Sequence, residues 1–387
     1  MIENKFSKLV QNVKPSSIAA FFEIASTTEG VVSLAIGEPD FDTPWHIREA
    51  AIHAISRGNT FYTPNGGFRE LKKAICDYQY RRFKVSYNPN ENVIVTVGCS
   101  EAIDLTMRVL LDPEDEVIIP SPGYIAYEPC VLACGGKVVA LPLVEDNHFK
   151  ITAEQLESVI TPKTKLLVLN FPSNPTGGIM TKEDYEQIVP IIKKYGIMVL
   201  ADEIYCELTY IGKHHSIASF AEIKDQIILM NGVSKAYSMT GWRIGYICAH
   251  EAVIKMMGRI HDNAILCAPT ISQYAAIEAL NNGDKDTEEM KVSFEQRRNY
   301  IVNECNRIGL PCFMPEGAFY VFANITSTGL SSSEFASRLI QEAKVVVVPG
   351  VAFGEHGEGF VRISYSYSIE EIKEALARIE IFLKQLS

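Results

Sequence analysis

NGVSKAYSMTGWRIGY, residues 231–246, places one lysine, Lys235, in a turn of small residues eight positions before an arginine, Arg243. Gly, Ser, Met, Thr and Trp surround the pair, and no carboxylate lies beside either residue to make an ordinary surface ion pair. Such a pair suits an amine that condenses with an aldehyde and a guanidinium that holds the phosphate of the same molecule. Arg243 opens a β-like run, RIGYIC (243–248), so the reactive turn is expected at the end of a sheet.

Working outward, short β-branched runs alternate with longer helical patterns. Strands are predicted at 93–97, 116–120, 137–141, 165–170, 197–201, 226–231 and 243–248, and helices at 67–83, 100–110, 153–160, 182–194 and 251–280. Strands spaced by helices predict parallel pairing and a doubly wound α/β sheet, and the nearly continuous apolar runs suit strands covered on both faces. The acidic stretch NNGDKDTEEM (281–290) marks a change of organisation. Beyond it a helix-like 291–308, the runs GAFYVFANI (317–325), VVVVP (345–349) and VRISYS (361–366), and a final helix predict a smaller α+β part. Residues up to about 45 carry no sheet pattern and are expected to pack with it. The predicted division is a large domain over 46–282 and a small one built from 1–45 and 283–387.

The 387 residues are enough for a large core. A formal net charge of −11 argues against nucleic acid as a partner, since phosphate backbones attract basic patches. No apolar run approaches the roughly 18 residues that a membrane span needs. The start, MIENKFSKLVQNVK, lacks the apolar core of a signal peptide, so a cytoplasmic protein is expected. Nine scattered cysteines, Cys99, Cys206, Cys248 and Cys267 among them, read as reduced thiols. Neither the Cys130/Cys134 pair nor His214-His215 has a second half with metal-ligand spacing, and no metal is assigned.

Ligands of open α/β sheets sit beyond the carboxyl ends of the strands. Asp202 directly follows the apolar run 197–201, where it is either a helix cap or a buried carboxylate for a protonated ring nitrogen. Gly98-Cys99-Ser100-Glu101 joins a strand to a helix, whose first amides offer a phosphate seat. Ser100 there is also a plausible N-cap.

Blocks in one order along the chain carry a resemblance: SLAIGEPDFDTP (33–44), YTPNGG (62–67), VTVGCSEAI (95–103), PSPGYIAYEP (120–129), NFPSNPTGG (170–178), ADEIYCEL (201–208), the lysine block and GEGFVRISY (357–365). From about Ile18 onward the chain resembles the class I/II pyridoxal-phosphate aminotransferases of fold type I, especially bacterial and archaeal aromatic, aspartate and N-acetyl-diaminopimelate aminotransferases. The resemblance implies a mainly parallel seven-stranded sheet flanked by helices, a smaller α+β domain, and pyridoxal 5'-phosphate as cofactor. It gives Lys235 the role of aldehyde-bound lysine and general base, and Asp202 that of partner to the pyridine nitrogen. Asn174, with a cis bond to Pro175, and Tyr205 would contact the phenolic oxygen. Cys99, Ser100, Glu101, Ser234 and Arg243 would hold the phosphate, although many relatives carry a hydroxyl residue where this chain has Gly232. Tyr124 would stack on the ring. Tyr62 would reach the cofactor phosphate of a second subunit, which makes the active form a homodimer. Arg362 would bind the substrate α-carboxylate beside the Gly37 backbone, with Tyr124 and Asn174 also in the substrate site.

The implied reaction moves an amino group from an L-amino acid to a 2-oxo acid such as 2-oxoglutarate, by ping-pong kinetics. Carbon–sulfur lyases of this fold often read Asp-Glu-Ile-His where this chain has Asp202-Glu203-Ile204-Tyr205, and aminocyclopropane-carboxylate synthases tend to carry Leu-Pro-Gly-Phe-Arg in place of 239–243. A regulator's sensor domain would follow a DNA-binding module, whereas about forty residues precede the pattern here. Some relatives that prefer aspartate carry Lys at the position of Ser100. Tyr62, Tyr124, Phe319, Tyr320 and Ile18 could line a pocket for aromatic or broad neutral side chains, with aspartate or N-acetyl-diaminopimelate as the alternative donors.

Overall fold

The computed structural model describes residues 5–13 and 29–386. Its strands, in chain order, are β1 (Val32–Ser33), β2 (Val93–Thr96), β3 (Glu116–Ser121), β4 (Lys137–Pro142), β5 (Thr164–Asn170), β6 (Met198–Asp202), β7 (Ile227–Gly232), β8 (Gly245–Cys248), β9 (Tyr320–Asn324), β10 (Val345–Val346), β11 (Val348–Pro349) and β12 (Phe360–Ser364). Strands β2 to β8, the seven runs predicted from sequence, form one sheet in the order β2-β8-β7-β6-β5-β3-β4. The pairs β3/β4, β3/β5, β5/β6 and β6/β7 are parallel. Strand β8 departs from the parallel expectation and runs antiparallel to both β2 and β7. A parallel return needs a crossover of a dozen or more residues, usually helical. The link 233–244 instead carries the lysine turn and one short 3-10 turn, Thr240–Trp242.

Side-chain alternation explains the apolar runs. Leu167, Leu169, Val199, Ala201, Ile227 and Leu229 enter one core, while Leu166, Val168, Leu200, Ile228 and Met230 enter another. Successive strand residues point to opposite faces, so both faces are buried under helices.

Three expectations need correction. The helix expected over 251–280 is two helices, Glu251–Ala264 and Thr270–Asn282. Between them Leu266 takes a left-handed φ of 72° and Pro269, which has no N–H to donate, caps the second helix. The helix expected from 291 begins earlier, at Asp284, so the acidic stretch 281–290 is itself helical apart from Gly283, and Asp284–Ile308 runs on as one helix. A Cβ at Gly283 would lie 2.6 Å from the Ala279 carbonyl oxygen and 2.7 Å from the Tyr237 ring, which explains the glycine. Finally, the N-terminal segment does have a strand, since β1 pairs in parallel with β10.

Beyond Asp284 the antiparallel sheet β11-β12-β9 packs with Phe294, Ile301, Phe335, Leu376 and Phe382 in a third core that also takes in Leu34. Among the described residues no helix is long and apolar enough to cross a membrane. Within the seven-stranded sheet the order reverses between β3 and β5, whose neighbours β4 and β6 lie on opposite sides. Loops leaving such a point diverge and open a crevice at the strands' carboxyl ends.

Candidate active site

That crevice is a cavity of about 390 Å3. The ends of β2, β3, β5, β6 and β7 deliver Cys99 and Ser100, Tyr124, Asn174, Asp202, and Ser234 with Lys235 to its wall, and Gly37, Tyr205, Arg243, Tyr320 and Arg362 complete it. Residues spread over more than 300 sequence positions thus meet in one place.

Lys235 projects from the turn after β7, and its Nζ donates a 2.6 Å hydrogen bond to the Gly37 carbonyl. The ammonium lies 6.0 Å from the centre of the Tyr205 ring and 5.9 Å from that of Phe319. Burial pulls its pKa down to about 8, against a partly opposing attraction to Glu38. An amine titrating there is available as a free base near neutrality, which both aldehyde capture and proton transfer require. Gly37 must be glycine, because a Cβ there would run into the Tyr320 hydroxyl.

Asp202 ends β6 and is buried. It does not cap a regular helix. Its Oδ2 accepts from the Tyr127 hydroxyl at 2.6 Å and its Oδ1 from the Ile204 amide at 3.1 Å. Burial pushes its pKa up to about 6, with these two donors holding it from rising further. A buried carboxylate so placed favours a cationic group from a ligand.

Opposite, the helix Gly98–Leu110 begins two residues before the predicted start, so Ser100 lies in its first turn and is not the N-cap. The Glu101 carboxylate closes back on the Val97 amide at 2.5 Å. Arg243, at a left-handed φ of 55°, brings its guanidinium to this helix end. A Cβ at Gly98 would sit 2.5 Å from Arg243 Nη2, so glycine is what permits the approach. Arg243 Nη1 donates to the Thr240 carbonyl at 3.0 Å. Free amides, a dipole end and a guanidinium together make an anion seat. At Gly232 a Cβ would lie 2.8 Å from the Ile244 carbonyl oxygen and 3.3 Å from Cys99 Sγ, so backbone and thiol take the space a hydroxyl side chain would need.

Arg362 reaches the cavity from β12 and is buried. Its Nη1 donates to Asn174 Oδ1 at 2.9 Å, Nη2 donates to the Ala35 carbonyl, and its guanidinium lies 4.5 Å from the centre of the Tyr320 ring. Its Nε is buried without an acceptor. A buried guanidinium with an idle donor has capacity for a ligand carboxylate. The Asn174–Pro175 bond is cis, as expected, and Asn170 Oδ1 holds the Asn174 amide at 3.0 Å. Tyr205 and Tyr320 hydroxyls meet at 2.7 Å.

Three predicted positions fall elsewhere. The Glu101 side chain turns from the cavity to pair with His261 Nδ1 at 2.6 Å, because a carboxylate beside an anion seat is better held by a cation. Tyr62 does not line the cavity of its own chain and is 82% exposed. Phe319 is fully buried behind Tyr205, ring centres 5.4 Å apart, and does not line the cavity. Ile18 lies outside the described residues. Sequence reading missed Tyr127 and Asn170, which brace Asp202 and Asn174. Asn170, a polar residue ending the apolar run 165–170, was the available signal. Tyr127 had none beyond its place in the 120–129 block.

All nine cysteines are free. The cavity fits pyridoxal 5'-phosphate on the chemistry of its donors: an amine of lowered pKa, an anion seat, and a buried carboxylate needing a cationic partner.

Comparison with known proteins agrees. The family model for aminotransferase class I and II matches residues 29–379. The Bacillus subtilis protein YugH is 46% identical over 377 residues, covering 97% of this chain and 98% of its own. Aromatic-amino-acid aminotransferase 2 of Thermococcus litoralis is 43% identical over 382 residues, 98% of each. The crystal structure of the aspartate aminotransferase from Rhizobium meliloti superimposes with a TM-score of 0.95 at 38% identity over 99% of both chains. With its sheet, its lysine turn and nearly its whole length shared with these proteins, the chain belongs to the class I and II aminotransferases, enzymes that work with pyridoxal 5'-phosphate.

Proposed function

We propose that this aminotransferase takes its amino group from aromatic or other neutral L-amino acids and passes it to a 2-oxo acid such as 2-oxoglutarate, in two half-reactions of a ping-pong cycle. The supply of cations carries the reading. Among the described residues lining the cavity only Lys235, Arg243 and Arg362 are cationic, and each already has a task. Within one chain none is left to pair with a side-chain carboxylate, while Ile36, Ile103, Ile125, Tyr124 and Tyr320 offer apolar or aromatic wall. A carboxylate brought there unpaired would cost more than a buried ring or alkyl group gains.

In this reading Arg243, Ser234 and the first amides of the Gly98–Leu110 helix, at Cys99, Ser100 and Glu101, hold the cofactor phosphate. Asp202 keeps the ring nitrogen protonated, Asn174 and Tyr205 hold the ring oxygen, and Tyr124 covers one face. Bound cofactor supplies an electron-withdrawing ring next to the substrate α-carbon. Arg362 orients the substrate by its α-carboxylate next to the Gly37 backbone, which sets the α-proton toward Lys235. Lys235 Nζ takes that proton as a general base and, as the ammonium, is the acid that would deliver it to the carbon of the cofactor's aldehyde group. Tyr127 keeps Asp202 in place throughout.

The exposed Phe61-Tyr62 pair, 81% and 82% accessible, suits a second copy of the chain, with Tyr62 reaching the partner's phosphate in a cytoplasmic homodimer. Residues 46–282 would form the large domain, and 1–45 with 283–387 a small domain that closes over bound substrate.

A panel of amino acids in the single half-reaction tests the donor class. Phenylalanine, tyrosine and neutral aliphatic donors should convert the aldehyde absorbance to that of the aminated cofactor without ammonia. A response confined to aspartate and glutamate would overturn the donor assignment, and released ammonia would overturn transamination.

A further inference from the structure

His261 lies outside the cavity lining, in the helix Glu251–Ala264, and is fully buried. Both its ring nitrogens face acceptors. Nδ1 is 2.6 Å from Glu101 Oε1 and Nε2 is 2.8 Å from the Asn65 carbonyl oxygen. Neutral imidazole has one N–H, so it satisfies one acceptor and sets a lone pair against the other. Only the imidazolium donates to both.

Each acceptor belongs to a segment of functional weight. Glu101 sits in the first turn of the helix whose amides form the anion seat, and its other oxygen accepts from Val97 N. Asn65 belongs to the loop 61–67 that displays Phe61 and Tyr62. That loop is pinned along its length. Thr270 Oγ1 donates to the Phe61 carbonyl at 2.6 Å, and Gln273 Nε2 donates to Thr63 Oγ1 at 3.0 Å while its Oε1 accepts from Phe68 N at 2.9 Å. Of these anchors His261 alone also touches the anion-seat helix.

We propose that His261, protonated on both nitrogens, is a positioning residue that ties the phosphate seat of its own chain to the loop bearing Tyr62. The proposal rests on the assignment of that seat and of Tyr62 to cofactor phosphate. Burial lowers the pKa of His261, but the bond and charge of Glu101 more than reverse this, and the net shift is upward. Glu101 across the contact and Asp262 on its own helix are the titratable groups acting on it. The Asn65 loop presents a carbonyl, and strand β2 brings only Val, Ile and Thr. A group raised in the folded state contributes fully at low pH and loses that contribution as pH rises through its folded value. On deprotonation the remaining N–H stays with the charged Glu101, so the Asn65 contact is the one released.

The test uses the full-length protein with pyridoxal phosphate. Asn at 261 places its amide near Nδ1 and Gln places it near Nε2, so His261→Asn and His261→Gln each keep one half of the bridge. Both should speed cofactor release by on the order of tenfold near neutral pH, the effect of losing one charge-assisted bond. Wild type should release cofactor faster as pH rises, and both variants should lack that dependence. Selective 15N labelling of histidine in the wild-type protein, with and without cofactor, should find both nitrogens of His261 protonated at neutral pH. A single protonated nitrogen, or a variant that keeps the wild-type release rate and pH profile, overturns the proposal. Failure of the wild-type protein to bind pyridoxal phosphate would instead overturn the seat itself.

Discussion

Replacing Asp202 by Asn should make the cofactor-free protein more stable at alkaline pH and the cofactor-loaded protein less so. Burial moves the Asp202 pKa from its ordinary 3.8 to about 6. A rise of about 2 units at 1.36 kcal/mol each is about 3 kcal/mol. Because folding raises the value, the native state holds the proton more tightly than the unfolded chain. This contribution is complete below pH 3.8 and is lost as pH climbs through about 6. By pH 8 the apo-protein therefore carries a buried anion that costs about 3 kcal/mol relative to its protonated form. Asn removes the charge and keeps the geometry. Its oxygen can accept from Ile204 N, and its amide can donate to the Tyr127 oxygen, which now stands 2.6 Å from the carboxylate. Differential scanning calorimetry of apo-protein at pH 5 and pH 8, at matched concentration because association shifts apparent stability, reads the effect. Unfolding as one unit, a chain of this length would gain roughly 4 °C at pH 8 and about half as much at pH 5, where the unfolded chain is already ionised and the native site still holds its proton. With cofactor present the order should invert, since the anionic partner of the protonated ring nitrogen is gone. An apo variant that melts with wild type at both pH values would show that Asp202 is not a buried anion, and the account of its role would fall.

Lys235→Ala should lower turnover by on the order of 10^4-fold while cofactor still binds without a covalent link, measured by borohydride trapping and equilibrium dialysis. Trapped label at another lysine would refute the assignment. Capture of pyridoxal phosphate by the wild-type apo-protein should accelerate as pH rises through about 8, where Lys235 loses its proton; a stopped-flow rate flat between pH 7 and 9 would contradict this. Arg362→Lys should raise KM for every amino acid by roughly 10- to 100-fold, because a point charge cannot replace two parallel donors. An unchanged KM would remove Arg362 from the substrate site. Gly232→Ser, which restores the hydroxyl common in relatives, should destabilise the protein by about 1–3 kcal/mol through its clash with the Ile244 carbonyl and Cys99. A neutral or stabilising result in urea denaturation would show that the backbone there yields.

The chain's local chemistry already determined much of this. Seven β-branched runs separated by helical ones can be covered on both faces in few ways, and all seven became strands of one sheet. Lys235, Asp202, Asn174 and Arg243 stood at run ends, where polar residues must either turn the chain or serve a ligand. Direction was another matter: β8 reads like its neighbours, and only the short link after β7 turns it antiparallel. Continuity was misjudged at 281–290 because charge at a helix surface looks like charge in a loop. Tertiary structure alone decided which partner each buried polar group finds. Glu101 faces His261 and not the cavity, Tyr127 braces Asp202, and Arg362 crosses 188 positions to meet Asn174. Hydrogen bonds and charge act over a few ångströms of space, with no regard to separation along the chain, so periodicity can place a side chain on a face but cannot name what it meets there.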